Sequence, residues 1–352
     1  MEIVYGEDEL EHFVTTAAAA SPDHPVLIDR FLEGAIEVDV DAVCDGTEVF
    51  IGAVMEHIEE AGVHSGDSSC VIPPPTLSDG ELDIVEDIVK RIAERLQVKG
   101  LLNLQLAVKD ERIWVLEANP RASRTVPFVS KAIGVPLAKL AARAMAGETL
   151  ESLDFTAERI PTYTSVKEAV FPFLKFPGVD TLLGPEMRST GEVMGIDRRF
   201  GLAFAKAEEA AGNRLPSSGC ALVTVRPEDR ERIGRVSKRL VEAGMTLMAT
   251  DGTAEYLESL GLECARVNKV YEGSPHTVDA IRGGKVQLVL HTVGDPKSVQ
   301  DSFSMRRAAL ETATPYFTTI AGAAAAAEGL LLRSQNGIKV TALQDFHAGN
   351  WS

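Results

Sequence analysis

The feature that most constrains the fold is a change of texture past the middle of the chain. From about residue 219, short apolar runs alternate with helically spaced ones. Strands are expected at 219–225, 245–250, 263–268, 286–291 and 315–320, and helices at 227–243, 253–260, 276–282, 302–313 and 321–332. Apolar strands separated by helices predict a parallel sheet covered on both faces. The first half reads as mixed α/β. Ile36 to Val43 alternates apolar and acidic residues, the pattern of a half-buried strand, and after the Asp45-Gly46 turn Glu48 to Met55 returns as a hairpin partner. Residues 101–108 and 112–117 predict a second hairpin around Lys109-Asp110-Glu111, and Pro25 to Asp29 a short strand. Ile84, Val85, Ile88, Val89, Ile92 and Leu96 predict a helix with Ser78-Asp79 as its N-cap. Residues 126–147 read as helical with a break at Gly134-Val135-Pro136. Residues 151–200, with Pro161, Pro172, Pro177 and Pro185, read as an irregular but structured connector. Three segments result: 1–150, 151–211 and 212–352.

Charge and cysteine usage narrow the function classes. The 352 residues carry 35 basic and 52 acidic side chains, a net −17, which argues against nonspecific nucleic-acid binding. No apolar run approaches the ~20 residues of a membrane helix. Cys44, Cys70, Cys220 and Cys264 are scattered with no C-x-x-C, which points away from a zinc ribbon or disulfide scaffold and toward a reducing cytoplasm. The acidic start is unlike a signal peptide.

Three polar residues interrupt otherwise apolar strands: Gln105, Glu117 and Asn119. Glu117 and Asn119 are two apart and share a face. If the two strands pair, one carboxylate and two carboxamides converge, a hard-oxygen set suited to Mg²⁺ shared with substrate phosphates. Arg121 and Arg124 follow at once and can neutralise phosphate.

The string Val115-Leu116-Glu117-Ala118-Asn119-Pro120-Arg121-Ala122-Ser123-Arg124 resembles the metal-binding strand of ATP-grasp enzymes. Glu37 to Ala42, Glu56 to Ser68, Lys175 to Asp180 and Gly184 to Glu192 narrow the resemblance to the second synthetase half of the carbamoyl-phosphate synthase large subunit, in one register to about residue 330. The implied fold class is α/β: a partial ATP-grasp lobe (α+β), then a Rossmann-like, methylglyoxal-synthase-like parallel sheet domain. The implied chemistry is ATP-dependent phosphorylation of carbamate to carbamoyl phosphate, for arginine and pyrimidine synthesis. The implied cofactors are ATP and Mg²⁺ or Mn²⁺. Gln105, Glu117 and Asn119 would bind the metals. Glu37 would hold the ribose, Arg30 and Leu32 would flank the adenine, and Gly62, Val63, His64 and Ser65 would form a loop near nucleotide and carbamate. Arg121 would hold the transferred phosphoryl group. His64 can be read as a general base or as a plain loop residue.

The resemblance also implies regulation and partners. Glu60, Asp67 and Glu168 match acidic positions that bind ornithine in enteric members, although each also reads as an ordinary surface acid. Thr250, Thr253 and Lys269, with Tyr316 and Thr318, fall where a nucleotide monophosphate effector of UMP or IMP type is bound; Thr250-Asp251-Gly252-Thr253 is also a plain helix cap. The chain departs from the enteric pattern at His291-Thr292-Val293, Pro296 and Phe317. The implied partners are the remainder of the large subunit and a glutamine amidotransferase small subunit. A glycine-rich phosphate-covering loop is expected upstream of Met1, so little synthesis is expected from these residues alone. The rival readings are an effector-binding fragment of a split synthase and another ATP-grasp carboxylate–amine ligase.

Overall fold

A computed structural model of the chain describes residues 3–4, 6–157, 160–176, 178–294 and 296–350. Pro177 lies outside them. Helix α1 (Glu7–Ala20) buries none of its residues. The irregular segment that follows includes 25–29, where a strand was expected. Strands β1 (Ile36–Asp45), β2 (Val49–His57) and β3 (Cys70–Ile72) lead to α2 (Asp79–Arg95). Next come β4 (Lys99–Lys109), β5 (Arg112–Asn119), α3 (Val126–Ile133) and α4 (Leu137–Met145). The helix α2 begins at Ser78, whose hydroxyl accepts from the Glu81 N–H while the Glu81 carboxylate accepts from the Ser78 N–H, a reciprocal capping box. Gly134 closes α3 in the left-handed conformation, which explains the break read from the sequence.

The stretch 151–200 is not irregular. It supplies β6 (Thr164–Val170) and β7 (Gly191–Asp197), followed by α5 (Phe200–Ala211). Both strands join the first sheet, whose order is β5-β4-β1-β2-β3-β6-β7, antiparallel throughout. The alternating β1 is also not half-buried. It is an interior strand, and its acids Asp39 and Asp41 are buried.

The remainder is β8 (Gly219–Thr224), α6 (Arg230–Glu242), β9 (Met245–Ala249), α7 (Asp251–Ser259), β10 (Cys264–Arg266), α8 (Thr277–Arg282), β11 (Leu288–His291), α9 (Pro296–Glu311), β12 (Tyr316–Phe317), α10 (Ile320–Asn336) and α11 (Leu343–His347). Its sheet runs β10-β9-β8-β11-β12 and is wholly parallel, as the alternation predicted. The two sheets are not separate bodies joined by a tether. Val71 and Val166 of the first sheet, with Ile58 just beyond β2, share one apolar cluster with Phe204 of α5, Ala221 and Val223 of β8 and Ala326 of α10.

Two close approaches make this packing possible. Gly201 of α5 meets Gly329 of α10, where a Cβ on Gly329 would lie 2.8 Å from the Gly201 carbonyl. Gly195 of β7 lies under α5, and a Cβ there would sit 2.0 Å from the Ala203 carbonyl and 2.5 Å from the Ala207 nitrogen. Backbone atoms cannot yield as a flexible side chain does, so Gly195→Ala is expected to cost about 3 kcal/mol or more. Urea unfolding checks this, with Gly191→Ala, which meets open space, as the silent control.

Candidate functional site

Sheet register assembles the site. Asp39 pairs with Gln105 and Gln105 with Glu117, while Asp41 pairs with Asn103 and Asn103 with Asn119. Cross-strand partners share a face, so Asp39, Asp41, Asn103, Gln105, Glu117 and Asn119 form one polar field across β1, β4 and β5. The Asn119 amide donates to Glu117 Oε1 at 2.5 Å, and the Gln105 amide donates to Ser65 Oγ at 3.0 Å. The carboxamide nitrogens are thereby engaged, and register places Gln105 and Asn119 on the same face as Glu117. This all-oxygen set fits a hard divalent cation. Strand pairing brings Gln105, Glu117 and Asn119 to one face, as the hairpin reading expected, and Ser65 joins them through Gln105.

The loop carrying Gly62, Val63, His64 and Ser65 is fixed from several sides. The His64 N–H donates to the Gly184 carbonyl at 2.8 Å, and the Gly66 N–H donates to His64 Nδ1 at 3.0 Å. Lys167, fully buried, donates to the Ser65 carbonyl at 2.9 Å. Gly62 adopts φ +101°, and a Cβ on it would meet the Phe31 ring at 3.2 Å, so the segment with Arg30 and Leu32 runs alongside this loop. Arg30 is exposed and Leu32 half-buried. One His64 ring nitrogen, Nδ1, is occupied by its own loop.

Asp41, missed as a site residue, organises the next segment. It accepts from Asn103 at 3.0 Å, Ser123 at 2.7 Å and Thr125 at 2.6 Å. It thereby pins residues 120–125, which carry the exposed Arg121 and Arg124. Burial pushes its pKa up to about 6 despite those three donors. Glu37 and Asp39 flank the buried His57, at 3.4 Å from Nδ1 and 3.3 Å from Nε2. Burial pulls the His57 pKa down, but Cys70, Asp39 and Glu37 outweigh it and hold the imidazole well above its usual range. Glu37 Oε2 and Asp39 Oδ1 are buried without hydrogen-bond partners.

A second cluster lies between the two sheets. Glu59 accepts from Ser68 Oγ at 2.8 Å and the Ser69 N–H at 2.6 Å, and Glu168 accepts from Ser69 Oγ at 2.5 Å. Burial, then the nearby Glu59 charge, pushes Glu168 up to about 8. Burial and Glu168 likewise raise Glu208 of α5 well above the usual carboxylate range. Glu59, Glu168 and Glu208 line a cavity of about 280 Å³ with Tyr316 and Thr318. Glu60, singled out from the sequence, is exposed and does not line it; its neighbour Glu59 does. Asp67 is also not part of the cavity wall. Its carboxylate accepts from the N–H groups of Arg188 and Ser189 at 2.7 and 2.9 Å.

A second cavity, of about 670 Å³, opens at the carboxyl ends of the parallel strands. Thr250, Thr253 and Lys269 line it as expected, joined by Arg226, Arg230 and His291. Thr250 and Thr253 are buried, and Lys269 stands exposed beside them. The Arg230 guanidinium sits on Gly252, where a Cβ would meet Nη2 at 2.6 Å, and its buried Nε has no partner. The α7 start and this cation present converging donors for an anion. His291 donates from Nδ1 to the Thr224 carbonyl at 3.1 Å, and burial lowers its pKa to about 4. Tyr316 and Thr318, grouped from the sequence with the effector residues, line the acidic cavity instead.

Comparison with known proteins agrees in register. Residues 1–153 match the family described as "Carbamoyl-phosphate synthase L chain, ATP binding domain", and residues 232–318 match the "MGS-like domain". The chain is 52% identical over 347 residues to the carbamoyl phosphate synthase large chain of Methanothrix thermoacetophila and 54% identical over 349 residues to that of Pseudomonas syringae. In each case 99% of this chain is covered, and the chain spans 32% of the relative's length. Among solved structures, the biotin carboxylase domain of Hydrogenobacter thermophilus 2-oxoglutarate carboxylase matches with TM-score 0.47 at 15% identity, over 59% of this chain and 52% of that one. Among the described residues no helix is long and apolar enough to cross a membrane.

Proposed function

The chain belongs to the carbamoyl phosphate synthase large-chain family, corresponding to its C-terminal portion, and from that premise we propose that it carries the metal side of a carbamate-phosphorylating site together with the effector domain that regulates it. The observation that carries the first part is the oxygen set of Gln105, Glu117 and Asn119, aligned by strand register beside the Ser65 loop. These three would hold Mg²⁺ or Mn²⁺. The metal would neutralise charge on the transferred phosphoryl group and orient it. Phosphoryl transfer asks for such positioning and neutralisation, with no covalent nucleophile on the protein. Arg121, on the segment pinned by Asp41, would hold the phosphoryl oxygens, Glu37 the ribose, and Arg30 and Leu32 the adenine. The remainder of the large subunit would complete the nucleotide site, and an amidotransferase small subunit would supply ammonia from glutamine.

Calorimetry tests the metal side. The chain is expected to bind ATP only with Mg²⁺ present, and Glu117→Ala is expected to weaken that binding about 100-fold, as loss of a metal ligand does. Unchanged binding by the variant would sink the assignment.

The effector reading rests on Arg230, whose unpartnered buried Nε faces no internal acceptor and suits a phosphate beside Thr250, Thr253 and Lys269. A nucleotide monophosphate of UMP or IMP type fits the cavity. The acidic cavity of Glu59, Glu168, Tyr316 and Thr318 would take a cationic activator of ornithine type. Arg230→Ala is expected to cost the effector about 10-fold or more in affinity, read by calorimetry, with ATP binding unaltered.

A further inference from the structure

We propose that the ion pair between Arg306 and Asp180 is the positioning link by which the cavity of the parallel sheet sets the His64–Ser65 loop. The proposal rests on the reading of that cavity as an effector site. Arg306 sits on α9, one turn beyond Ser302, and α9 presents Ser298, Asp301, Ser302 and Met305 to the cavity. The guanidinium is almost wholly buried. Its Nη1 donates to Ser302 Oγ at 2.6 Å, and Ser302 Oγ donates to the Ser298 carbonyl at 2.5 Å. Its Nε and Nη2 donate to the two Asp180 oxygens at 2.8 and 2.5 Å. A planar fork with both tines engaged has little freedom to re-pair. A ligand that shifts α9 or recruits Ser302 must therefore move Asp180.

Asp180 belongs to the loop between β6 and β7, and that loop continues the chain of contacts. The Arg188 Nη1 donates to the Asp180 carbonyl at 2.6 Å. The backbone N–H groups of Arg188 and Ser189 hold the Asp67 carboxylate, and Ser189 Oγ donates to the Gly66 carbonyl at 2.9 Å. The Asp67 N–H donates to the His64 carbonyl at 2.8 Å, and the His64 N–H to the Gly184 carbonyl at 2.8 Å. Ser65 Oγ then accepts from Gln105, a proposed metal ligand. Every step from Ser302 to Gln105 is a hydrogen bond, an ion pair or a short stretch of backbone. In this scheme the structural task of Asp67 is to receive the signal from Arg188.

Continuity alone is not coupling, so the test measures transmission. Amide hydrogen exchange of residues 59–70 is followed in the 352-residue chain, for wild type, Asp180→Asn and Arg306→Lys. Without ligand, Asp180→Asn is expected to speed exchange at 64–69 by about fivefold or more while leaving β8 amides at 219–224 unchanged. Arg306→Lys keeps the charge but not the fork and is expected to fall between. UMP, IMP and inorganic phosphate are then added at saturation. The probe that binds wild type is expected to change exchange at 64–69, and Asp180→Asn to bind it within about threefold of wild type yet lose that response. If no probe binds wild type by calorimetry, the effector reading fails, and the ligand-free comparison still decides the link. Unaltered exchange at 64–69 in ligand-free Asp180→Asn, or a ligand response that survives in it, overturns the proposal.

Discussion

Replacing Glu168 with Gln is expected to stabilise the chain by about 3 kcal/mol at pH 7 and to change little at pH 4. Glu168 is buried, and burial with the nearby Glu59 raises its pKa from 4.5 to about 8. A carboxyl whose folded pKa is raised contributes stability that is fully present below pH 4.5. That contribution is lost as pH climbs toward 8, because the unfolded chain ionises first. Gln retains an oxygen for the Ser69 hydroxyl and cannot ionise, so the loss disappears in the variant. Urea unfolding from pH 4 to pH 8 reads the result: the wild-type curve should fall more steeply across that window than the variant curve, which keeps the slope due to Asp41 and Glu208. Parallel curves would mean that Glu168 ionises freely in the folded chain. The same substitution removes one of the carboxyl groups proposed to receive a cationic activator. Higher stability and weaker activator binding should therefore arrive together.

The opposite sign is expected at Asp41. Asp41→Ala leaves the Asn103 amide and the Ser123 and Thr125 hydroxyls without their acceptor in a buried place. Stranding these donors is expected to cost about 3 kcal/mol or more, read as a lower urea midpoint with an unchanged slope. Asp41→Asn keeps an oxygen acceptor and should recover most of the loss. Because segment 120–125 hangs on this carboxylate, Asp41→Ala should also make the Arg121 and Arg124 amides exchange faster. A variant as stable as wild type would show that the segment is held by other contacts.

The parts of the fold that repeat a simple period were readable from the residues. The alternation of strands and helices from β8 to β12 and the spacing of Ile84, Val85, Ile88, Val89, Ile92 and Leu96 led directly to elements, because apolar burial imposes such periods, and Val85 and Val89 lie on the buried face of α2. Register made Gln105, Glu117 and Asn119 legible as a group once a hairpin was assumed. What escaped notice depends on partners remote in sequence. Thr164 to Val170 is polar at Lys167 and Glu168, and it becomes a strand because Cys70 to Ile72 pairs with it. Asp41 looked like one of several acids in an alternating run, and only the fold supplies its three donors. Glu60 was named from the resemblance, whereas Glu59 lines the cavity, and sequence carries no sign of which of two adjacent carboxylates turns inward. Helix α1 has no buried side to announce it.

The apolar cluster that crosses from Val71 and Val166 through Phe204 to Ala221 and Ala326 bears on how such a chain can be remodelled by recombination. A cut near residue 212 looks clean in the sequence, yet it would strip α5 of the α10 face that Gly201 and Gly329 bring into contact. Each fragment would then carry a sticky apolar surface and depend on its former neighbour for solubility. The parallel-sheet domain could therefore be exchanged between relatives only with α5 and the first-sheet surface beneath it, so that the two sheets are inherited as one block.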